Sequence, residues 1–158
     1  MVRRSGREMS DDHNLDAKDA ATLQEILSGS GYSQKAIDYY LQKPNMGSLR
    51  DPDQVTELTG PCGDTMKVYL KISDNLISDA KIQVLGCPGA VSAAMVAMEL
   101  AKGKTIDEAY AIKDRDIFRI LEQLPEQKQH CIRLAVKTLQ KAIQEYKVNN
   151  NGHGRKGE

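Results

Sequence analysis

From Met66 to Ile72 every second residue is apolar: Met66, Val68, Leu70 and Ile72 alternate with Lys67, Tyr69 and Lys71, and Ser73 closes the run. A period of two with one polar side is the pattern of a strand whose sheet has one buried and one wet face. Val55 to Thr59 reads as a short strand before it. After it, Ser73 to Asn75 ("SDN") is turn chemistry, and Ala80, Ile82 and Val84 alternate again up to Gly86. The sequence predicts an antiparallel meander of three strands.

Past Gly86 the pattern turns helical. "CPGAVSAAMVAMELAKG" is apolar nearly all round and predicts a buried helix, with Pro88 suited to its first position and Gly103 to its stop. "TIDE", Thr105 to Glu108, is a capping box that opens a short helix. Ile117, Phe118, Ile120 and Leu121 mark another, ended by Pro125. The last helix is predicted from near Glu126, with Ile132, Ala135, Leu139, Ala142, Ile143 and Tyr146 at spacings of three and four. Upstream, Ala17 to Leu27 is a weak amphipathic helix broken by "SGSG", and Ser33 caps a short helix that stops at Pro44. The class is α+β: a three-stranded antiparallel sheet packed against several helices. The 158 residues divide into an extension at 1–31, one domain at 32–148, and a polar tail at 149–158 that is expected to be disordered.

Charge and composition narrow the function. The 22 basic and 22 acidic residues cancel, so no overall positive field draws nucleic acid. No run approaches the roughly 20 apolar residues a membrane helix needs. The first residues lack the apolar stretch of a secretory signal, which predicts a cytoplasmic protein. Three cysteines in such a chain argue against a disulfide framework and for thiols that are free or metal-bound. There is no Trp and a single Phe, so the core is aliphatic and somewhat soft.

The predicted elements put all three thiols at element ends. Cys62 sits in the loop "TGPCGDTM" between two strands, Cys87 at the junction of the third strand with the buried helix, and Cys131 in the second turn of the last helix. Asp64 follows Cys62 closely and His130 precedes Cys131. A helix N-terminus favours the anionic thiolate, most of all at Cys87. Taken singly, each has a structural alternative: a lone cysteine is commonly a small buried hydrophobe, Asp64 suits a turn cap and His130 a solvated helix face. Cys62, between Pro61 and Gly63, is poorly set for core packing. If the thiols converge, three thiolates with a carboxylate or an imidazole suit Zn²⁺ in a tetrahedron or an iron–sulfur cluster. Each thiol comes from a different element, so the site is less stiff than paired cysteines would make it, which suits a metal meant to leave.

"GPCGDTMKVYLKI", "ISDAKIQVLGC" with the Ala-rich helix and "LAKGKTIDEA", and "LPEQKQHCIRLAVKTLQKAIQEYK" together resemble the IscU/NifU-like family of iron–sulfur cluster assembly scaffolds, and "YSQKAIDYYLQKPNMGSL" resembles its N-terminal segment. The resemblance implies a platform, not an enzyme, on which a [2Fe–2S] cluster is built and then delivered to apo iron–sulfur acceptor proteins. It implies Cys62, Asp64, Cys87 and Cys131 as cluster ligands and Cys131 as persulfide acceptor. His130 is either a further metal ligand or a proton and hydrogen-bond partner of Cys131. A cysteine desulfurase as sulfur donor, ferrous iron, and an electron donor such as a ferredoxin are the implied partners. In isolated protein the resemblance leaves two occupants of the pocket open, the cluster and Zn²⁺ in place of iron. A cluster on a monomer and one bridging a homodimer both stay open. "LPEQK" at Leu124 to Lys128 departs from the motif read by a dedicated Hsp70-type chaperone, so that partner is not carried over. The alternative within the superfamily is a zinc-bound SufU-like sulfur relay, whose members carry an insertion before the third cysteine and lack the histidine. A cysteine hydrolase is disfavoured because neighbours on a helix point about 100° apart, aiming His130 away from the Cys131 sulfur.

Overall fold

The computed structural model describes residues 17–61, 63–125 and 129–157. Six helices and three strands follow one another in these residues: α1 (Ala17–Gly29), α2 (Gln34–Gln42), β1 (Gln54–Thr59), β2 (Thr65–Ser73), β3 (Leu76–Leu85), α3 (Pro88–Ala101), α4 (Ile106–Tyr110), α5 (Asp114–Leu121) and α6 (His130–Gly157). The strands form an antiparallel sheet in the order β1-β2-β3, as the alternation predicts.

Met66, Val68, Leu70 and Ile72 are buried and their neighbours are not. Asp74 and Asn75 both take positive φ, the two-residue turn whose twist matches a hairpin. A register shift at Lys71/Ile72 gives β3 one extra residue, Ser78, whose hydroxyl donates to the Lys71 carbonyl at 3.2 Å. That bulge lets Ile77 and Ala80, three positions apart, both face the core.

The α3 helix carries almost no polar face and is buried throughout its first three turns, because it lies between β3 on one side and α2, α5 and α6 on the others. α6 covers β1 and β2. The Thr105 capping box is present: its hydroxyl accepts from the Glu108 amide, and the Glu108 carboxylate accepts from the Thr105 amide. The outer edge of β3 is covered by residues 45–47, which exchange backbone hydrogen bonds with Ile82.

Two boundaries differ from the sequence expectation. The last helix begins at His130 and not near Glu126, so Cys131 lies in its first turn; residues 126–128 lie outside the described residues. The chain just before is held elsewhere: the Ser33 amide donates to the Gln123 carbonyl at 3.0 Å, Leu124 is buried, and Pro125 packs on Gly31. At the other end the backbone stays helical to Gly157, through the stretch expected to be a disordered tail. No proline interrupts it, and extending an established helix gains one hydrogen bond per residue fixed, which polar composition does not prevent. Of the extension at 1–31, residues 1–16 lie outside the described residues and α1 packs on α2. No helix among the described residues is long and apolar enough to cross a membrane.

Candidate metal centre

An antiparallel 1-2-3 order puts the end of β1, the start of β2 and the end of β3 on one edge of the sheet, where Thr59, Thr65 and Leu85 stand abreast. The segments leaving that edge carry the candidate residues, and α6 begins beside them.

The β1–β2 loop is closed by its own backbone: the Gly60 amide donates to the Asp64 carbonyl at 2.8 Å and the Gly63 amide to the Gly60 carbonyl at 3.0 Å. Gly63 sits at φ +91, a conformation glycine adopts without a Cβ clash. The loop aims the Asp64 carboxyl across the edge at Gly86, where a Cβ would stand 2.8 Å from both Asp64 Cγ and Oδ1. The missing side chain of Gly86 is the space the carboxylate fills. Cys62 lies outside the described residues.

Cys87 is the N-cap of α3, with extended backbone and Pro88 at the first helical position, as expected; its side chain makes no cap hydrogen bond. The sulfur turns instead to the site. Cys87 Sγ lies 3.6 Å from Cys131 Sγ and 3.9 Å from Asp64 Oδ2, and Cys131 Sγ lies 3.7 Å from Asp64 Oδ2 and 3.7 Å from His130 Nε2. His130, Cys131 and Asp64 each offer a donor atom within 4.8 Å of the others. These separations have a coordination meaning. With Zn–S near 2.3 Å and Zn–O or Zn–N near 2.0–2.2 Å, tetrahedral edges come to roughly 3.8 Å between two sulfurs and roughly 3.6 Å between sulfur and a lighter donor. Asp64, Cys87 and Cys131 already stand at such edges, with His130 on a fourth.

One expectation is corrected. The His130 imidazole does reach its neighbour's sulfur, because His130 is the first residue of α6 and the angle argument for a helix interior does not hold there. Cys131, for which the sequence leaves both a buried hydrophobe and a ligand open, is fully buried and still turns its sulfur to the site. Its thiol is pushed well above the ordinary range, first by its hydrogen bond with Cys87, then by burial and by the negative charge of Cys87 and Asp64. A divalent cation reverses this, because groups that repel one another's charge become its ligands.

Tyr32 is a residue the sequence reading treats only as a domain boundary. It is the single aromatic in the buried core of the described residues, and its phenol is pushed up to about 12, chiefly by burial and next by the charge of Cys87, with smaller contributions from Cys131 and Asp64. Its phenol therefore lies near enough to these groups to feel their charge. Its sequence signal, an apolar residue just before the Ser33 cap, points only to a hydrophobic staple.

The NifU-like N terminal domain family model matches residues 31–153. The iron–sulfur cluster assembly scaffold protein IscU 1 of Archaeoglobus fulgidus is 42% identical over 116 residues, covering 73% of this chain and 76% of that protein. Escherichia coli K12 IscU is 40% identical over 121 residues, covering 73% and 94%. Among solved structures, a nitrogen-fixing NifU-like N-terminal protein from Brucella abortus superimposes with a TM-score of 0.62 at 20% identity, covering 73% of this chain and 93% of that one. A protein named as a SUF-system scaffold from Fervidobacterium islandicum AW-1 gives 0.61 at 23%, covering 71% and 96%. These last two similarities establish the fold.

Proposed function

Since the chain belongs to the NifU-like N-terminal domain family, we propose that it is a scaffold on which an iron–sulfur cluster is assembled as cargo, held by Cys62, Asp64, Cys87 and Cys131 with His130 alongside. The observation that carries this reading is the meeting of Asp64, Cys87 and Cys131, from three separate segments, at separations of 3.6–3.9 Å. Soft thiolates with one hard oxygen hold ferrous iron less firmly than four thiolates would, which suits a cluster that must depart.

In our reading the cluster is of the [2Fe–2S] type and its sulfur arrives as the persulfide of a cysteine desulfurase. The Cys131 thiolate attacks the donor's outer sulfur. A new S–S bond forms on Cys131, the donor's S–S bond breaks, and the donor cysteine leaves as thiolate. Two electrons from a donor of the ferredoxin kind then release that sulfur as sulfide, and Cys131 returns as a thiolate. Because Cys131 is buried, the pocket must open toward the desulfurase before attack. His130 is placed to take or return the thiol proton. The thiols need a reducing compartment, for which the cytoplasm is our assignment.

Anaerobic incubation with ferrous iron, cysteine and a desulfurase tests the proposal. A visible cluster absorbance with about two irons per cluster, lost on substituting Cys87 or Cys131, is expected. A colourless protein holding one zinc and passing sulfur onward would establish the relay instead; His130 and the short path from Cys87 to Cys131 weigh against that outcome.

A further inference from the structure

A second feature lies on the exposed side of α6. A groove of about 440 Å³ runs between the start of α5 and the first half of α6. Lys113 and Arg115 line one wall, Arg133 and Lys137 the other, buried Val136 lines it between them, and Asp114 is its single acid. Among the described residues, no ion pair reaches any of the four cations, although other lysines of the chain are paired. In a molecule of zero net charge, this face sets four cations against one acid among the described residues. Residues three and seven positions apart share a helix face, so Arg133 and Lys137 line up behind His130, the nearer about one turn away.

We propose that this groove docks an acidic segment of a partner protein, delivering that partner to the Cys131 end of the molecule. That the partner works on the ligand pocket rests on the scaffold reading; the docking does not. The four cations lie on two elements, and Arg133 and Lys137 are about 6 Å apart along the axis. Successive carboxylates on one face of an extended acidic segment repeat at a similar spacing, so such a segment can meet both while its neighbours reach Lys113 and Arg115. The groove has no aromatic on which a base could stack. Exposed cations of this kind act mainly by steering encounter and setting register, so salt should weaken the contact.

The test uses the full, zinc-loaded, ¹⁵N-labelled chain titrated with a deca-glutamate peptide at low ionic strength. Amide resonances of residues 113–115 and 133–140 are expected to move. Two double variants, Arg133→Glu with Lys137→Glu and Lys113→Glu with Arg115→Glu, should each weaken binding about tenfold or more, as should added salt. Retention of the helical dichroism shows that each variant is folded. Unmoved groove resonances, equal binding by both folded variants, or equal binding of pyrophosphate or a single-stranded oligonucleotide at the groove would overturn the inference. Chemical reconstitution with ferrous iron and sulfide separates the two readings. Cluster assembly without peptide binding sinks the docking alone, and peptide binding without assembly sinks the scaffold alone.

Discussion

Gly86 carries more of the site than its lack of a side chain implies. A Cβ there would stand 2.8 Å from the Asp64 carboxyl, closer than side-chain carbons approach anything, so Gly86→Ala must displace Asp64. Gly86→Ala and Asp64→Ala should therefore behave alike. Each lengthens the lifetime of an assembled cluster against an apo-acceptor severalfold, since the carboxylate to which release is assigned is lost or displaced, and the double variant adds little to either. Cluster transfer followed by absorbance measures this; faster transfer from Asp64→Ala would refute the role assigned to the carboxylate. Tyr32 gives a prediction of a different kind. A phenol whose folded value is raised to about 12 from 10 stays neutral where the unfolded chain ionises. Its contribution is complete below pH 10 and is lost as pH rises through 10 to 12. Tyr32→Phe should flatten that alkaline decline by about 1 kcal/mol, read from denaturant unfolding at pH 9 and pH 11.5. The types and places of Asp64, Cys87, His130 and Cys131 are legible in the sequence because few residues stand so close to element ends. That Cys131 is buried and a site residue at once is not, since the meeting of its sulfur with Cys87 and Asp64 depends on segments 44 and 67 residues away.

At the scale of elements, Ser33 and Thr105 both cap helices, yet they predict different outcomes. The Thr105 capping box is local and exposed. Ser33 accepts from the Ala36 amide at the start of α2, donates its hydroxyl to the Leu121 carbonyl at the end of α5, and through its amide holds Gln123. It thus fastens the strand of chain that leads to His130. Either residue changed to Ala should cost about 1 kcal/mol of stability. Only Ser33→Ala should also weaken zinc binding, by severalfold, because the segment before the ligands loses its anchor; competition with a chromophoric chelator distinguishes the two. Both caps are visible in the sequence, as hydroxyl residues placed before apolar periodicity. What Ser33 ties together is not visible, because its partners lie some ninety residues on. The start of the last helix is not legible either: the apolar spacing places it near Glu126, and the helix begins at His130.

For the whole molecule, the sheet and the ligand pocket have unequal claims to stability. The three strands, α3 and the inner face of α6 share a continuous core that is almost wholly aliphatic. The pocket end instead gathers a carboxylate and two thiols within 4 Å of one another, with the Cys131 thiol held protonated by that company. Zinc binding must expel that proton, so affinity should rise with pH across the neutral range, with proton release measurable by calorimetry in buffers of different ionisation enthalpy. The same asymmetry predicts where ordering occurs. At a free zinc concentration one hundred times its dissociation constant, mass action stabilises the fold by about 2.7 kcal/mol. Amide exchange should slow about a hundredfold at Met66 to Ile72 of β2 and the centre of α3, which exchange only by global unfolding, and residues 60–64, 86–88 and 129–132, which open locally without metal, should gain protection as well. The core is then a fixed support and the ligand end the part that tightens on loading. Protection spread evenly over β2 and α3, with the ligand segments unchanged, would show that zinc binds elsewhere.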